Sequence, residues 1–195
     1  NEALDGAVVR PVAEAYRKVL PDVVRTGVAN VFGNVEDAWS ALNQFLQGKP
    51  LDGIDMSMRV FTNTIVGLGG VFDVASEIGI ERRSEDLGQT LGRWGFGPGP
   101  YVVMPIFGPR TLRDALALPL DRYVGLSNLV RANERYGLVA VELMQKRSEL
   151  LGADRLADQL ALDKYTFVRD AYLARRRNLV YDGNPPEEPE APDEG

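Results

Sequence analysis

Neither cysteine nor histidine occurs anywhere in the 195-residue sequence. Without cysteine the chain has no disulfides, no thiol nucleophile and no thiolate ligands for zinc. Without histidine it lacks the commonest general base and the commonest metal-binding side chain. An enzyme built from this sequence would have to work with Asp, Glu, Lys, Arg or Tyr alone. We therefore predict no metal site and no cofactor.

Long apolar runs are also missing. No stretch approaches the roughly 20 apolar residues that a membrane-spanning helix requires. The sequence begins at Asn1 rather than Met. We therefore expect that an N-terminal segment has been removed, together with any targeting or anchoring signal that it carried.

The negative charge of the chain is concentrated at its C-terminal end. The net charge is −6, and residues 182–195 contain six of the 28 acidic residues and no base. The remaining acids balance the 22 Lys and Arg. A neutral body argues against nucleic acid as a partner, because that binding depends on clustered positive charge. We predict one helical domain over residues 1–181 and a disordered, acidic, Pro-rich tail over 182–195.

Apolar residues recur at helical spacing along most of the chain. No stretch as long as a strand alternates apolar and polar residues, so we predict an all-α fold. Residues 8–50 indicate three helices, separated at Pro21 and at Gly33-Asn34, with Asn34 as N-cap of the third and a stop at 48–50. Further helices are predicted over 54–64, after the glycine-rich stretch 66–80, from residue 84, and over 108–123 with an end at Pro119. The C-terminal half indicates helices over 127–151 and 154–178, separated at Gly152.

Residues 92–109, GRWGFGPGPYVVMPIFGP, combine glycine and proline with aromatic and aliphatic side chains. The glycines and prolines exclude a regular helix or a central strand. Apolar side chains on such a segment are unfavourable in water unless protein, a partner or lipid covers them. Short, aromatic-rich helices without a spanning segment are typical of a protein that lies in one membrane leaflet.

Several sequence blocks together resemble the MlaA/VacJ family of outer-membrane phospholipid-transport lipoproteins. The blocks are VVRPVAEAY (8–16), RTGVANVFGNVED (25–37), FLQGKP (45–50), RVFTNTIVGLGGVFDVAS (59–76), LGQTLGRWGFGPGPYVVMPIFGPRTLRD (87–114) and KYTFVRDAYLARR (164–176). Two features depart from the family: its lipidated N-terminal cysteine is absent, and Leu87 stands where the family often has Phe.

The resemblance implies a ring-like bundle of short amphipathic helices around a central amphipathic channel, with the irregular Gly/Pro-rich segment as part of the ring. The ring is expected in the periplasmic leaflet of the outer membrane, lipid-anchored and bound to a trimeric porin. Its expected function is to remove phospholipid mislocalised in the outer leaflet. It would pass that phospholipid to a periplasmic lipid carrier and so maintain lipid asymmetry.

Within that implied ring, three sets of residues are candidate functional sites. The candidates for a polar track along the channel are Asn63, Asp73, Arg113 and Asp114. The candidates for contact with membrane or lipid are Trp94, Phe96, Tyr101, Val103, Met104, Ile106 and Phe107. Asn30, Val31 and Phe32 match a family block at a predicted helix junction, and we expect this junction to gate the channel.

Two alternatives to a transport protein remain open at this point. One is an acid–base enzyme that acts on lipids through carboxylates such as Asp73, Asp114 and Asp170. The missing histidine and cysteine and the absence of a nucleophile motif weigh against it. The other is a scaffold that only binds a porin, which the residues alone do not exclude.

Overall fold

Helices dominate the computed structural model, which describes residues 5–104, 107–129, 132–160 and 163–187. A π-helical turn, Asp5–Val9, leads into α1 (Arg10–Val19), α2 (Asp22–Leu46), α3 (Pro50–Ile65), α4 (Val74–Glu77) and α5 (Leu87–Arg93). Strands β1 (Tyr101–Met104) and β2 (Gly108–Thr111) are followed by α6 (Leu112–Tyr123), α7 (Leu126–Leu129), α8 (Ala132–Leu160) and α9 (Lys164–Val180). The prediction of a mainly helical chain is confirmed.

Helices α2 and α3 form a packed pair joined by a three-residue turn. Gly48 has a φ of +75°, which a residue without Cβ adopts without strain and which ends α2. Pro50 then occupies the first position of α3, where its missing N–H needs no partner. The two helices approach each other closely at Gly53. A Cβ at this position would lie only 2.8 Å from the Phe45 ring.

The helices carry their apolar residues outward and their polar residues inward. On α3, exposed apolar side chains recur every three or four residues: Leu51, Ile54, Met58, Phe61 and Ile65. On α6 the exposed stripe is Leu112, Leu116, Leu120 and Tyr123. Among the described residues, buried polar and charged side chains outnumber buried apolar ones. This is the reverse of a helix that packs its apolar face on the core of a water-soluble protein.

A β-hairpin lies where the sequence predicts an irregular segment. Strands β1 and β2 pair antiparallel, with Tyr101 opposite Thr111 and Val103 opposite Pro109. Proline is tolerated because both strands of a two-stranded hairpin are edge strands. The hairpin base is continuous with α6: the Leu112 N–H donates to the Pro100 carbonyl at 2.9 Å, which satisfies one of the free donors of the helix start.

Three predicted helix ends are wrong. Helix α2 runs through Gly33 and Asn34 without a break, because tertiary packing holds Asn34: its side chain is buried and donates to Thr64 Oγ1 at 2.9 Å. Pro119 lies inside α6, which continues to Tyr123. Gly152 lies inside α8, and α9 begins instead after Asp163, whose carboxylate caps it by accepting from the backbone N–H of Tyr165 at 2.9 Å.

The first residues of the predicted tail contact the helical body. Asp182 Oδ1 lies 2.6 Å from Lys49 Nζ, and the Pro186 carbonyl accepts from the Arg177 guanidinium. Residues 188–195 lie outside the described residues, so disorder of the tail stays a prediction. Within the described residues, no helix combines the length and the apolar character that crossing a membrane requires.

Candidate functional site

An inner cavity of about 460 Å³ lies between α2, the start of α5, the hairpin, α6 and α8. Its described lining includes the carboxylates Glu36, Glu85, Asp86, Asp121 and Glu142, the cations Arg110, Arg122, Lys146 and Arg147, and the apolar side chains Trp39, Phe107, Leu118 and Leu143. The cavity is therefore amphipathic, with charges of both signs and with aromatic and aliphatic surface in its lining.

Ion pairs hold the α6–α8 side of this cavity together. Arg122 Nη1 lies 2.7 Å from Glu142 Oε1, and Lys146 Nζ lies 2.6 Å from Glu36 and 3.2 Å from Glu142. Burial would lower the pKa of Lys146, but the two carboxylates outweigh it and raise that pKa above its usual value. The Arg122 guanidinium also lies 5.1 Å from the centre of the Phe107 ring, within cation–π range.

Two other charged side chains in the cavity form no ion pair with a described residue. Arg110 forms no ion pair with any described residue, and its buried Nε has no hydrogen-bond acceptor. Asp121 Oδ1 accepts from Trp39 Nε1 at 2.8 Å and from the Leu87 N–H at 2.9 Å. Asp121 forms no ion pair with a described residue. Burial and the nearby Asp86 charge raise the pKa of its carboxyl group, and the two hydrogen bonds and the Arg176 charge offset this only in part.

Arg176 of α9 ties that helix to α5 and α6. Its guanidinium contacts the Asp86 carboxylate at 2.6 and 2.9 Å and Asp114 Oδ1 at 3.0 Å. Arg113 also donates to Asp114 Oδ1 at 3.1 Å, and the Tyr172 hydroxyl donates to Asp114 Oδ2 at 2.8 Å. Asp114 is therefore a buried junction between three elements.

The titration of this junction follows from the same contacts. Burial alone would raise the pKa values of Asp86 and Asp114, but hydrogen bonds and charge from Arg176 outweigh it and hold both below the usual range. Burial and the neighbouring Asp114 raise the pKa of Tyr172 to about 12. The two carboxylates are thus ionised and fully engaged in holding α9.

Asn63 and Asp73 belong to a second buried network, around Arg59. Arg59 is fully buried and donates to both Asp73 oxygens, at 2.8 and 3.1 Å, and to Asp37 Oδ2 at 3.3 Å. Asn63 Nδ2 donates to Asp73 Oδ1 at 3.0 Å, and its Oδ1 accepts from the Ala75 N–H at 2.8 Å. Burial opposes ionisation of Asp73, but the hydrogen bonds from Ser76 and Asn63 and the Arg59 charge lower its pKa to about 2.

The four predicted track residues thus fall into two separate clusters, Asn63 with Asp73 and Arg113 with Asp114. None of these four side chains belongs to the described lining of the inner cavity. Their role in lipid passage stays a prediction. Sequence reasoning missed Arg110 and Asp121, although one signal was available: Arg110 is the first charged residue after Arg93, at the end of the apolar segment.

The predicted gating residues lie inside α2, so there is no helix boundary at Asn30, Val31 and Phe32. Asn30 Nδ2 donates to the Val71 carbonyl at 2.9 Å and so connects α2 to the glycine-rich turn after α3. Gly70 of that turn has a φ of +91°, and a Cβ there would lie 2.8 Å from Asn34 Cβ. Phe32 is buried. Gating by these residues stays a prediction.

The candidate membrane-contacting residues are mostly exposed. Trp94, Phe96, Val103 and Phe107 are 53%, 59%, 49% and 39% exposed. Tyr101 is half-buried against the rings of Tyr165 and Tyr172, at 6.0 and 6.3 Å, and Met104 is half-buried. Ile106 lies outside the described residues. The exposed stripes of α3 and α6 extend the apolar surface. In the sequence, these stripes are visible as apolar residues that recur every three or four positions, with polar residues between them.

Two further concavities adjoin these elements. One, about 1150 Å³, lies between α5, the Gly/Pro segment and α9, and its lining includes Arg113, Arg175, Arg176 and Arg177. Arg176 is engaged by Asp86 and Asp114, whereas Arg175 is exposed. Another, about 620 Å³, shares Ser84, Glu85 and Gln89 with the inner cavity. We favour the inner cavity as the functional site, despite its smaller volume, because five elements surround it and it carries the two unpaired charges.

Comparison with known proteins gives consistent matches along the chain. Residues 1–179 match the MlaA lipoprotein family. The chain is 38% identical over 193 residues to the intermembrane phospholipid transport system lipoprotein MlaA of Escherichia coli (strain K12), a match that covers 96% of this chain and 76% of that protein. The protein of the same description from Haemophilus influenzae is 31% identical over 191 residues, covering 92% and 73%.

A solved chain from a study of the structural basis for maintenance of bacterial outer membrane lipid asymmetry has the same fold. It matches with a TM-score of 0.78 and 35% identity, covering 91% of this chain and 90% of that chain. The predicted ring-like helical fold is therefore confirmed, with the short hairpin as an addition. The match over residues 1–179 and the identity to relatives along nearly the whole chain lead to one conclusion: the chain belongs to the MlaA lipoprotein family.

Proposed function

We propose that this chain removes phospholipid mislocalised in the outer leaflet of the outer membrane and passes it to a periplasmic carrier, so that the lipid asymmetry of that membrane is maintained. The observation that carries the proposal is the inverted polarity of the ring. Exposed apolar stripes on α3 and α6 face outward, while a charged cavity lies inside. The relatives are named as lipoproteins of an intermembrane phospholipid transport system.

The inner cavity suits a phospholipid headgroup better than a whole lipid. Its volume of about 460 Å³ lies within the range of about 300–1,000 Å³ that small-ligand pockets occupy. Charged groups of the headgroup need opposite charges when they leave water, and the cavity supplies both signs. Trp39, Phe107, Leu118 and Leu143 in the same lining provide apolar surface where the acyl chains begin. The chains themselves extend beyond the cavity.

The outer surface supports residence in one leaflet. A backbone without regular helix is stable at membrane depth only where protein satisfies its polar groups. The carbonyls of Phe96, Pro98 and Pro100 in the Gly/Pro segment accept hydrogen bonds from Arg113 or from the start of α6. We place the ring in the periplasmic leaflet of the outer membrane as a lipid-anchored protein, with a trimeric porin against its apolar helix faces.

The polar clusters outside the cavity lining hold neighbouring helices of the ring together in this proposal. Arg113 and Asp114 hold α9 against α6, and Asn63 and Asp73 hold α3 against α4. These contacts also weigh against a carboxylate enzyme. Asp73 has a pKa of about 2 and Asp114 a lowered pKa, so neither exchanges protons near neutral pH as a general acid or base must.

Filling the cavity tests the proposal. Leu143→Trp adds bulk to the cavity wall, whereas Val141→Trp, two residues away on α8, adds slightly more bulk at an exposed position. In cells that lack their own copy of the protein, we expect Leu143→Trp to let phospholipid accumulate in the outer leaflet and Val141→Trp to behave as the unsubstituted chain does. Abundant, helical Leu143→Trp protein that keeps the leaflet clear would refute the proposal.

A further inference from the structure

The charges of the inner cavity are balanced within the protein except for one of each sign. Glu36 and Glu142 pair with Lys146 or Arg122, Glu85 lies 3.3 Å from Lys49, Asp86 is held by Arg176, and Arg147 pairs with Asp5. Of the charged side chains in the described lining, Arg110 and Asp121 alone form no ion pair with another described residue. A ligand that enters this cavity therefore meets one free positive and one free negative group.

Arg110 has the chemistry of a phosphate-binding group. It lies in β2 opposite Val102, and this position brings it to the cavity wall. Its Nε is buried without an acceptor, and a buried donor left unpaired is unfavourable until an acceptor arrives. A guanidinium presents its donors in a planar fork that fits two oxygens of one phosphate. A guanidinium without an ion pair at the cavity wall therefore favours an anionic group in the ligand.

Asp121 has the chemistry of an ammonium-binding group. Trp39 and the Leu87 N–H both donate to Oδ1, and Oδ2 accepts no hydrogen bond from a described residue. These two donors fix the carboxylate in place but do not neutralise it. Burial raises the pKa of the group, because the charged form is not fully compensated. A cation with N–H donors would supply both the missing charge and the missing hydrogen bond.

We propose that the inner cavity selects a zwitterionic phospholipid headgroup, with its phosphate on Arg110 and its primary ammonium on Asp121. The proposal rests on the function proposed above and names the lipid class of the same site. A phosphoethanolamine headgroup carries one charge of each sign, so it compensates both Arg110 and Asp121. A phosphoglycerol headgroup satisfies Arg110 only, because its glycerol carries no cation.

A competition between two lipids measures this selection. The full chain in detergent is mixed with equal amounts of phosphatidylethanolamine and phosphatidylglycerol that carry the same acyl chains, and bound lipid is quantified by native mass spectrometry. We expect phosphatidylethanolamine to be favoured about tenfold, the effect of one charge-assisted hydrogen bond. Asp121→Asn keeps the Oδ1 acceptor, and we expect it to bring the ratio close to one.

Arg110→Gln has a different expected signature. It removes the phosphate contact common to both lipids, so binding of each should weaken about tenfold while phosphatidylethanolamine remains preferred. Arg110→Lys keeps the charge and should recover part of the binding. Arg175→Gln is the matched control, because Arg175 is exposed and lies outside the inner cavity; it should change neither binding nor ratio. Circular dichroism checks that each variant is folded.

The outcomes separate this inference from the function on which it rests. Equal binding of the two lipids by the unsubstituted chain, or a preference that survives Asp121→Asn, overturns the headgroup selection and leaves the transport proposal standing. If Arg110→Gln binds the lipids as well as Arg175→Gln does, the assignment of the phosphate to Arg110 is refuted. If the unsubstituted chain binds neither lipid, the transport proposal fails as well.

Discussion

Two arginines of this ring, the fully buried Arg59 and the half-buried Arg110, differ in how they are paired. Every guanidinium nitrogen of Arg59 has an acceptor, from Asp37, Asp73, Ser76 or the Ile80 carbonyl. Arg110 has no ion-pair partner among the described residues, and its Nε has no acceptor. The first arrangement is closed and holds helices together. The second is open, and an open charge beside a cavity is what a ligand-binding group needs before the ligand arrives.

Opening the closed network should have the largest effect on stability. Arg59→Leu leaves the almost fully buried Asp37 with Arg82 as its remaining cation and leaves Asp73 without its ion pair. Loss of one partner of a buried ion pair costs about 3–5 kcal/mol, and we expect a loss of that size in urea unfolding of the detergent-solubilised protein. Arg82→Gln, which removes a 36% exposed side chain, should cost less. Similar losses for the two variants would show that the Arg59 network is not closed.

The second largest effect is expected in the pH dependence of the unfolding free energy, through Asp73 of the same network. The pKa of Asp73 is about 2 in the folded protein and 3.8 in the reference state. A lowered pKa stabilises the fold above about pH 4, and the contribution is lost as pH falls through about 2. The difference corresponds to about 2 kcal/mol. Asp73→Asn should therefore be less stable by that amount at pH 7 and nearly equal at pH 2. A gap that is the same at both pH values would contradict this.

The open pair should matter little for stability. Asp121→Asn keeps the Oδ1 acceptor for Trp39 and Leu87, and Arg110→Gln removes a donor that has no acceptor. We expect each substitution to change the free energy of unfolding by less than about 1 kcal/mol, measured as for Arg59→Leu. A loss as large as that of Arg59→Leu would mean that the two residues are structural and that the comparison with Arg59 is invalid.

The smallest effect is expected from the acidic end of the chain. Removal of residues 188–195 leaves the Arg177–Pro186 and Lys49–Asp182 contacts in place. The sequence predicts a tail without apolar side chains large enough to form a core. The change in unfolding free energy should stay within about 0.5 kcal/mol. A marked fall in melting temperature would indicate that the tail is docked.

The helices and the family could be predicted from sequence because their signals are local. Spacing of apolar residues predicted α3, and the glycine, proline and aromatic pattern predicted an exposed apolar segment. The charge clusters could not be predicted in this way. Arg176 meets Asp86 across 90 residues and Lys146 meets Glu36 across 110, and nothing in the local pattern of one sequence pairs them. The wrong helix end at Gly33-Asn34 has the same origin, because the Asn34–Thr64 hydrogen bond outweighs local propensity.

The register of the hairpin decides which side chain reaches the cavity. Side chains of a strand alternate between two faces, so a slip of one residue between β1 and β2 would replace Arg110 with Pro109 or Thr111 on the cavity side. Such a slip would therefore move the Arg110 charge away from the cavity without any substitution in the lining. A slip of two residues would leave the strand on its original face. The pairing of β1 with β2 is therefore what places Arg110 at the cavity wall.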